Sequence, residues 1–468
     1  MLAAEVALVR AQARLGLAPD EAAGAIARAA GEPGRFDPRD LALRARAGGN
    51  PVIPLVEDLT AAVAATDPAA AAHVHRGATS QDVLDTATML VSARAVDQLL
   101  ADLDRVAHGL HHLARTHRDT TMAGRTLTQH AVPTTFGLKA AGWHWLVTDA
   151  RHRLAGVRAR LPAQLGGAAG TLAAFRAYAG TAADTADTAD TADTTNAAAP
   201  ADGPPDLALR LVAEFARETG LAEPVLPWHV LRVPVAELGG ALAHAAGALG
   251  KLAADVLVLS RTEIGEVTEG NGGGSSAMPH KANPARATLI AGAARRVPAL
   301  AGVLYAGLAA EDERPAGAWH AEWQTLRDAL RTAGGMAATA AGLVTGLRVH
   351  PDRMHDNLGA THGQIMAERL VAALTPRAGR ARAREVVSHA GRQAAREAAD
   401  LLDVLADEPA LDGLLTRGQL QALADPATYH GAAGALVDRA LSRPCAAPAP
   451  APSPAPAPER RLHTRGTP

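Results

Sequence analysis

Apolar positions along this chain recur at helical rather than strand spacing. Leu99, Leu103, Val106, Leu110 and Leu113 follow each other at alternating steps of four and three, the stripe of a helix packed in a bundle. Residues 2–17, 228–267 and 291–310 carry the same kind of pattern and predict further long helices. Polar loops break these stretches at 75–86, 125–135 and 272–286, and each loop feeds a helix. A Gly-rich break covers 161–175, and "RVHPDRMHDNLG" (348–359) opens a C-terminal helical region. The expected architecture is all-α: an N-terminal helical domain over 1–98, a central bundle over 99–346 and a C-terminal helical domain over 347–441.

Two segments stand apart from this pattern. "TAADTADTADTADTTNAAAPADGPPD" (181–206) repeats every three residues without apolar periodicity, so it is read as a disordered surface insertion in the central bundle. It lacks the glycine and distal glutamate of a calcium loop. From Ser442 to Pro468 the chain is a Pro/Ala tail, expected to be extended and outside the fold.

Composition agrees with helices. Of 468 residues, 48% are hydrophobic but only 3% aromatic, and alanine is abundant. The net charge of −2 gives no support for nucleic-acid or membrane-surface binding. Cys445 is the single cysteine, so neither an internal disulfide nor a thiolate metal site can form, which fits a cytoplasmic location. No run of 18 uncharged apolar residues predicts a membrane span. His111, His112 and His117 are read as solvated side chains rather than metal ligands.

The chemistry sits in the three loops. The sequence has no G-x-G-x-x-G after a strand, P-loop, H-E-x-x-H or G-x-S-x-G pattern. Instead, Thr79, Ser80, Thr126, Thr128, Gln129, Ser275, Ser276 and Asn283 offer neutral donors beside Lys281. Such a set suits carboxylates and the charge left when a proton is removed α to one of them. Ser275 and His130 are the candidates for moving that proton.

"GSSAMPHKANP" (274–284) resembles the G-S-S-x-M-P-x-K-x-N-P signature of the fumarase/aspartase superfamily. "GATSQDVLDTA" (77–87) and "GRTLTQHAVPTTFGLKAAGW" (124–143) resemble its first and second regions. The resemblance covers most of residues 1–440. It implies three helical domains around a long bundle, and a homotetramer whose sites draw the three regions from different subunits. Many lyases of the superfamily pair a histidine in the second region with a glutamate after the signature lysine; the corresponding positions here are Leu127 and Thr288. The R-T-x-x-Q-H-A-x-P stretch and "ERPAGAWHAEW" (313–323) look like the cycloisomerase branch. That branch implies interconversion of 3-carboxy-cis,cis-muconate and 4-carboxymuconolactone, in the protocatechuate branch of aromatic degradation. The alternative is a lyase of adenylosuccinate or nitrosuccinate type that releases fumarate from a substituted succinate.

Carried over by position, the resemblance makes Ser275 the loop base and His130 an acid/base imidazole. Lys281 and Asn283 stabilise the dianion, while Thr79, Ser80, Thr126 and Gln129 bind the carboxylates of a small tricarboxylate substrate. Arg314 is placed on the third carboxylate, with an ion pair to Glu311 or Asp312 as its rival role. No metal or organic cofactor is implied. Ala282 stands where the branch usually has arginine.

Overall fold

The computed structural model describes residues 1–32, 34–179, 204–270, 274, 278, 281–411 and 413–442. The expectations for residues 181–203, for Ser275 and Ser276, and for the tail after Ser442 with Cys445 lie outside them. The protein is all-α, with two short antiparallel strand pairs among the described residues. An N-terminal unit holds α1 (Leu2–Arg14), α2 (Asp20–Ala30), α3 (Pro38–Gly48), α4 (Val52–Ala64) and the short α5 (Pro68–Ala71). Val9, Ile26, Leu59 and Val63 form its core.

Helix α6 (Ser80–Thr116) is the longest element. The predicted stripe from Leu99 to Leu113 is buried along it. The helix runs unbroken through residues 98 and 99, where the sequence divides the first two domains. We propose instead that the division falls at its N-terminus, near Thr79. After α6 come β1 (Thr121–Thr126), β2 (Gln129–Thr135) and α7 (Phe136–Ala159). Residues 125–135 are therefore mostly a β-hairpin, not a polar loop.

A helical segment at 173–179 (α8) precedes α9 (Pro205–Thr219), whose first turn takes in the last two residues of the tract expected to be disordered. The bundle is completed by α10 (Val233–Leu259), α11 (Ala285–Ala306) and α12 (Ala318–Gly346). Between them lies β3 (Val267–Glu269), paired with β4 (Leu347–Val349). By length and composition α10 and α11 are apolar enough to cross a membrane. Both are bundle helices: Leu238, Leu242, Leu249, Leu252 and Val256 of α10, and Ile290 and Val297 of α11, are buried in the central core.

Contacts fix the direction of each bundle helix. Trp319 Nε1 donates to Asp85 at 2.9 Å near the start of α6, and Val344 meets Gly109 near its end. A Cβ at Gly109 would lie 2.6 Å from Val344 Cγ1, so only glycine allows this close approach. Helix α12 is thus parallel to α6. Helix α7 runs back, from Phe136 against His117 to Arg158 paired with Asp97. His117 therefore packs on an aromatic ring and is only half-exposed. Helix α10 leaves Arg232 beside Asp85, and α11 returns with Leu304 against Gly239.

A C-terminal unit follows: α13 (Pro351–Leu358), α14 (Ala367–Ala378), α15 (Arg380–Glu397), α16 (Leu401–Ala406), α17 (Arg417–Ala424) and α18 (Ala433–Leu441). Leu370, Leu374, Val386, Leu401 and Leu405 form a separate core there.

One polar cluster is buried where α6, α10 and α12 begin. Arg232 pairs with Asp85 at 2.7 Å and with Glu322 at 2.5 Å, and all three side chains are shielded from solvent. Burial pushes the Glu322 carboxyl up, against the pull of Arg232, and leaves it above its ordinary value. Removing the cation would strand two buried carboxylates, at a cost of about 3–5 kcal/mol. Arg232→Met is expected to lower the urea midpoint accordingly; an unchanged midpoint would show that the cluster does not hold these helix starts together.

Candidate active site

The first region is built on the N-terminus of α6. Thr79 is the residue before the helix, and its N–H donates to the Asp82 carboxylate at 3.0 Å, half of a capping box. Asp82 also accepts from the N–H groups of Gly166 and Gly167, at 2.9 Å each, and contacts His229 Nε2 at 2.8 Å. This buried carboxylate ties the helix start to the Gly-rich break, with Ser80 beside it.

Arg314 closes the same cluster. Its Nε donates to Gln81 Oε1 at 3.0 Å, and its Nη2 donates to Thr79 Oγ1 at 3.2 Å and the Ala168 carbonyl at 3.1 Å. The rival ion pair with Glu311 or Asp312 does not form; Glu311 accepts the Ala316 N–H instead. All of Arg314's acceptors are neutral, so among the described residues its charge has no counter-ion. It is suited to an anion.

The second region is the β1–β2 hairpin. Thr126 pairs with Gln129 across a two-residue tip, Leu127 and Thr128, with φ of 48° and 72°. Leucine and the β-branched threonine both disfavour this left-handed backbone, at about 1–3 kcal/mol each. Such strain is concentrated at functional sites. Leu127 is 96% exposed, and Thr126, Thr128 and Gln129 are exposed as well. Gln129 donates to Thr128 Oγ1 at 3.3 Å.

His130 lies opposite Arg125 in the strand register. Arg125 forms a two-pronged pair with buried Glu266, at 3.0 and 2.7 Å, and Asn357 donates to the same carboxylate at 2.8 Å. His130 is half-buried, and its Nδ1 is enclosed without a partner among the described residues. Burial, then the Arg125 cation, lowers its pKa, partly offset by Glu266. At neutral pH the imidazole is therefore neutral and able to take a proton.

The third region lies between β3 and α11. Glu269 accepts from the N–H groups of Arg286 and Ala287, at 3.1 and 2.8 Å, and so fixes the start of α11. The Asn283 carbonyl accepts the Ala285 N–H at 2.8 Å, and the Lys281 N–H donates to the Met278 carbonyl at 3.1 Å. Lys281 and Ala282 are exposed, and Asn283 is half-buried. Thr288, where many relatives of the superfamily have glutamate, bonds to the Pro284 carbonyl at 2.8 Å.

One chain does not bring these groups together. Thr79, Ser80 and Arg314 share one end of the bundle. Thr126, Gln129 and His130, and separately Lys281 and Asn283, lie at the other. The 37 residues of α6, at 1.5 Å each, separate the two ends by about 55 Å. No hydrogen bond or ion pair among the described residues joins Lys281 or Asn283 to the hairpin. The sequence reading did not single out Asp82 or His229, although the T-x-x-D spacing of 79–82 is a readable capping signal. Among the described residues no group of three or more His, Cys, Asp or Glu side chains converges to hold a metal ion.

Comparison with known proteins places this geometry. The family profile described as "Lyase" matches residues 1–202 and 193–299, and "Adenylosuccinate lyase C-terminus" matches 363–440. The chain belongs to the fumarase/aspartase superfamily. It is 55% identical to the nitrosuccinate lyase of Streptomyces davaonensis, over 95% of this chain and 90% of that one. It is 42% identical to the 3-carboxy-cis,cis-muconate cycloisomerase of Bradyrhizobium diazoefficiens, over 94% and 92%. The crystal structure of the 3-carboxy-cis,cis-muconate lactonizing enzyme from Pseudomonas putida superposes with a TM-score of 0.84 at 38% identity, over 94% of this chain and 93% of that one.

As an acid/base group that works from its neutral form, His130 should give kcat/KM an acid limb with a midpoint below the ordinary histidine value of about 6.5, because only the neutral imidazole accepts a proton. His130→Gln should remove this limb and lower turnover about 10²–10⁴-fold. A limb that persists in the variant assigns the proton transfer elsewhere.

Proposed function

We propose that this chain is a lyase that eliminates nitrite from nitrosuccinate to give fumarate. The observation that carries the choice of substrate is the 55% identity to a nitrosuccinate lyase along nearly the whole chain, against 42% for a cycloisomerase. What supports the chemistry is the set of residues. The reaction removes a proton from the carbon next to one carboxylate, and the C–N bond on the adjacent carbon breaks to release nitrite. The charge that develops on the carboxylate is met by Lys281 and Asn283. Ser275, on the loop that carries them, is the proposed base, with the neutral His130 as its acid/base partner. Arg314 and Thr79, with Ser80, Thr126 and Gln129, bind the carboxylates.

These groups can act together only across chains, because α6 holds them about 55 Å apart in one subunit. We propose a homotetramer in which each site takes its three regions from different subunits.

A second reading keeps the site and changes the substrate: 3-carboxy-cis,cis-muconate cyclisation, favoured by the "ERPAGAWHAEW" stretch and the fold match to a muconate lactonizing enzyme. There a substrate carboxylate oxygen closes on the diene and the proton goes to the adjacent carbon. Two parallel assays separate the readings. Purified protein with nitrosuccinate is expected to release nitrite and fumarate in equal amounts, and to leave the diene absorbance of 3-carboxymuconate unchanged. Loss of the diene with no nitrite would overturn the lyase reading in favour of the cycloisomerase.

Ser275→Ala and Lys281→Ala should each lower turnover by about 10²–10⁴-fold, with little change in melting temperature. Near-normal turnover in either variant would remove that residue from the mechanism.

A further inference from the structure

The hairpin forms one wall of a cavity of about 530 Å3, lined by Arg125, Thr128, His130, Lys139, Lys251 and Asp255, among others. Lys139 stands four residues into α7, within the second region. It is half-buried, and among the described residues it makes no hydrogen bond or ion pair. The two carboxylates whose field reaches it are already engaged. Asp255 accepts from Trp143 Nε1 at 2.7 Å with one oxygen and from Lys251 at 2.6 Å with the other. Glu266 gives both oxygens to Arg125, and one also to Asn357. Arg261 and Glu263, both exposed, also line the cavity without an ion pair among the described residues, and Lys139 is the half-buried cation of the wall left without one.

A half-buried ammonium without an ion-paired partner costs free energy that the fields of Asp255 and Glu266 only partly offset. Burial accordingly lowers its pKa. Groups perturbed in this way cluster at functional sites.

We propose that this cavity is a carboxylate-binding compartment and that Lys139 is its anion-binding residue, receiving one carboxylate of the substrate beside His130. The proposal rests on the reading of the chain as an enzyme of polycarboxylates and adds a residue to it. The ammonium reaches a carboxylate as a point charge, while His130 stays neutral and free to move a proton.

The test compares wild type with Lys139→Met and Lys139→Arg by calorimetric titration with fumarate, using the uncharged fumaramide as control, and by thermal melting. Lys139→Met should weaken fumarate binding at least tenfold, and Lys139→Arg should retain most of it. Fumaramide should not distinguish the proteins. Because Lys139 makes no hydrogen bond or ion pair among the described residues, Lys139→Met should melt at or above the wild-type temperature, which a merely structural lysine would not do. Equal fumarate affinity in Lys139→Met, or no fumarate binding by wild type at millimolar concentration, would overturn the proposal. Lys139-dependent binding without turnover of nitrosuccinate or 3-carboxymuconate would support this compartment and sink the functional reading alone.

Discussion

The length of helix α6 is the constraint on which the site depends. It is one rigid rod of 37 residues with Thr79 and Ser80 at its start. Its last turn leads directly into the hairpin that carries His130. A packed helix of this length cannot fold back to join its ends. The buried Arg232 cluster sets the start of three parallel helices, so Arg314 is held at the Thr79 end of the rod. Each polar group is therefore well positioned locally and incomplete globally. In the proposed function the missing parts come from other copies of the chain.

The two ends differ in how they are prepared. At the Thr79 end, buried Asp82 and neutral acceptors orient a guanidinium without cancelling its charge. At the hairpin end, Glu266 neutralises Arg125, and burial keeps His130 unprotonated. In the proposed mechanism the Thr79 end binds a carboxylate, and the hairpin end both binds anions and moves the proton. The strained tip at Leu127 and Thr128 lies at this second end.

Much of this was legible in the sequence, for identifiable reasons. The Leu99–Leu113 stripe reports a buried helix face directly, and the three loop motifs report local chemistry. The hairpin was not legible, because Leu-Thr at its tip lacks the Asn-Gly or Asp-Gly signal of a two-residue turn. Nor was the partnership of Arg232, whose carboxylates lie 147 and 90 residues away in the chain. Arg314 left two roles open on sequence, and its contact with Gln81, 233 residues distant, could not be read there. Lys139 has meaning only once Asp255 and Glu266 are seen to be engaged by others. Apart from the hairpin, long-range pairing is the common element in what sequence patterns could not show.

Subunit complementation tests the shared-site account most directly. Arg314→Ala and His130→Gln would each be inactive alone, with the defects at opposite ends of α6. Mixed, dissociated and reassembled, they should regain about a quarter of wild-type activity, since some sites then receive both intact regions from different chains. Activity that stays at the level of the separate variants would contradict a site built across subunits.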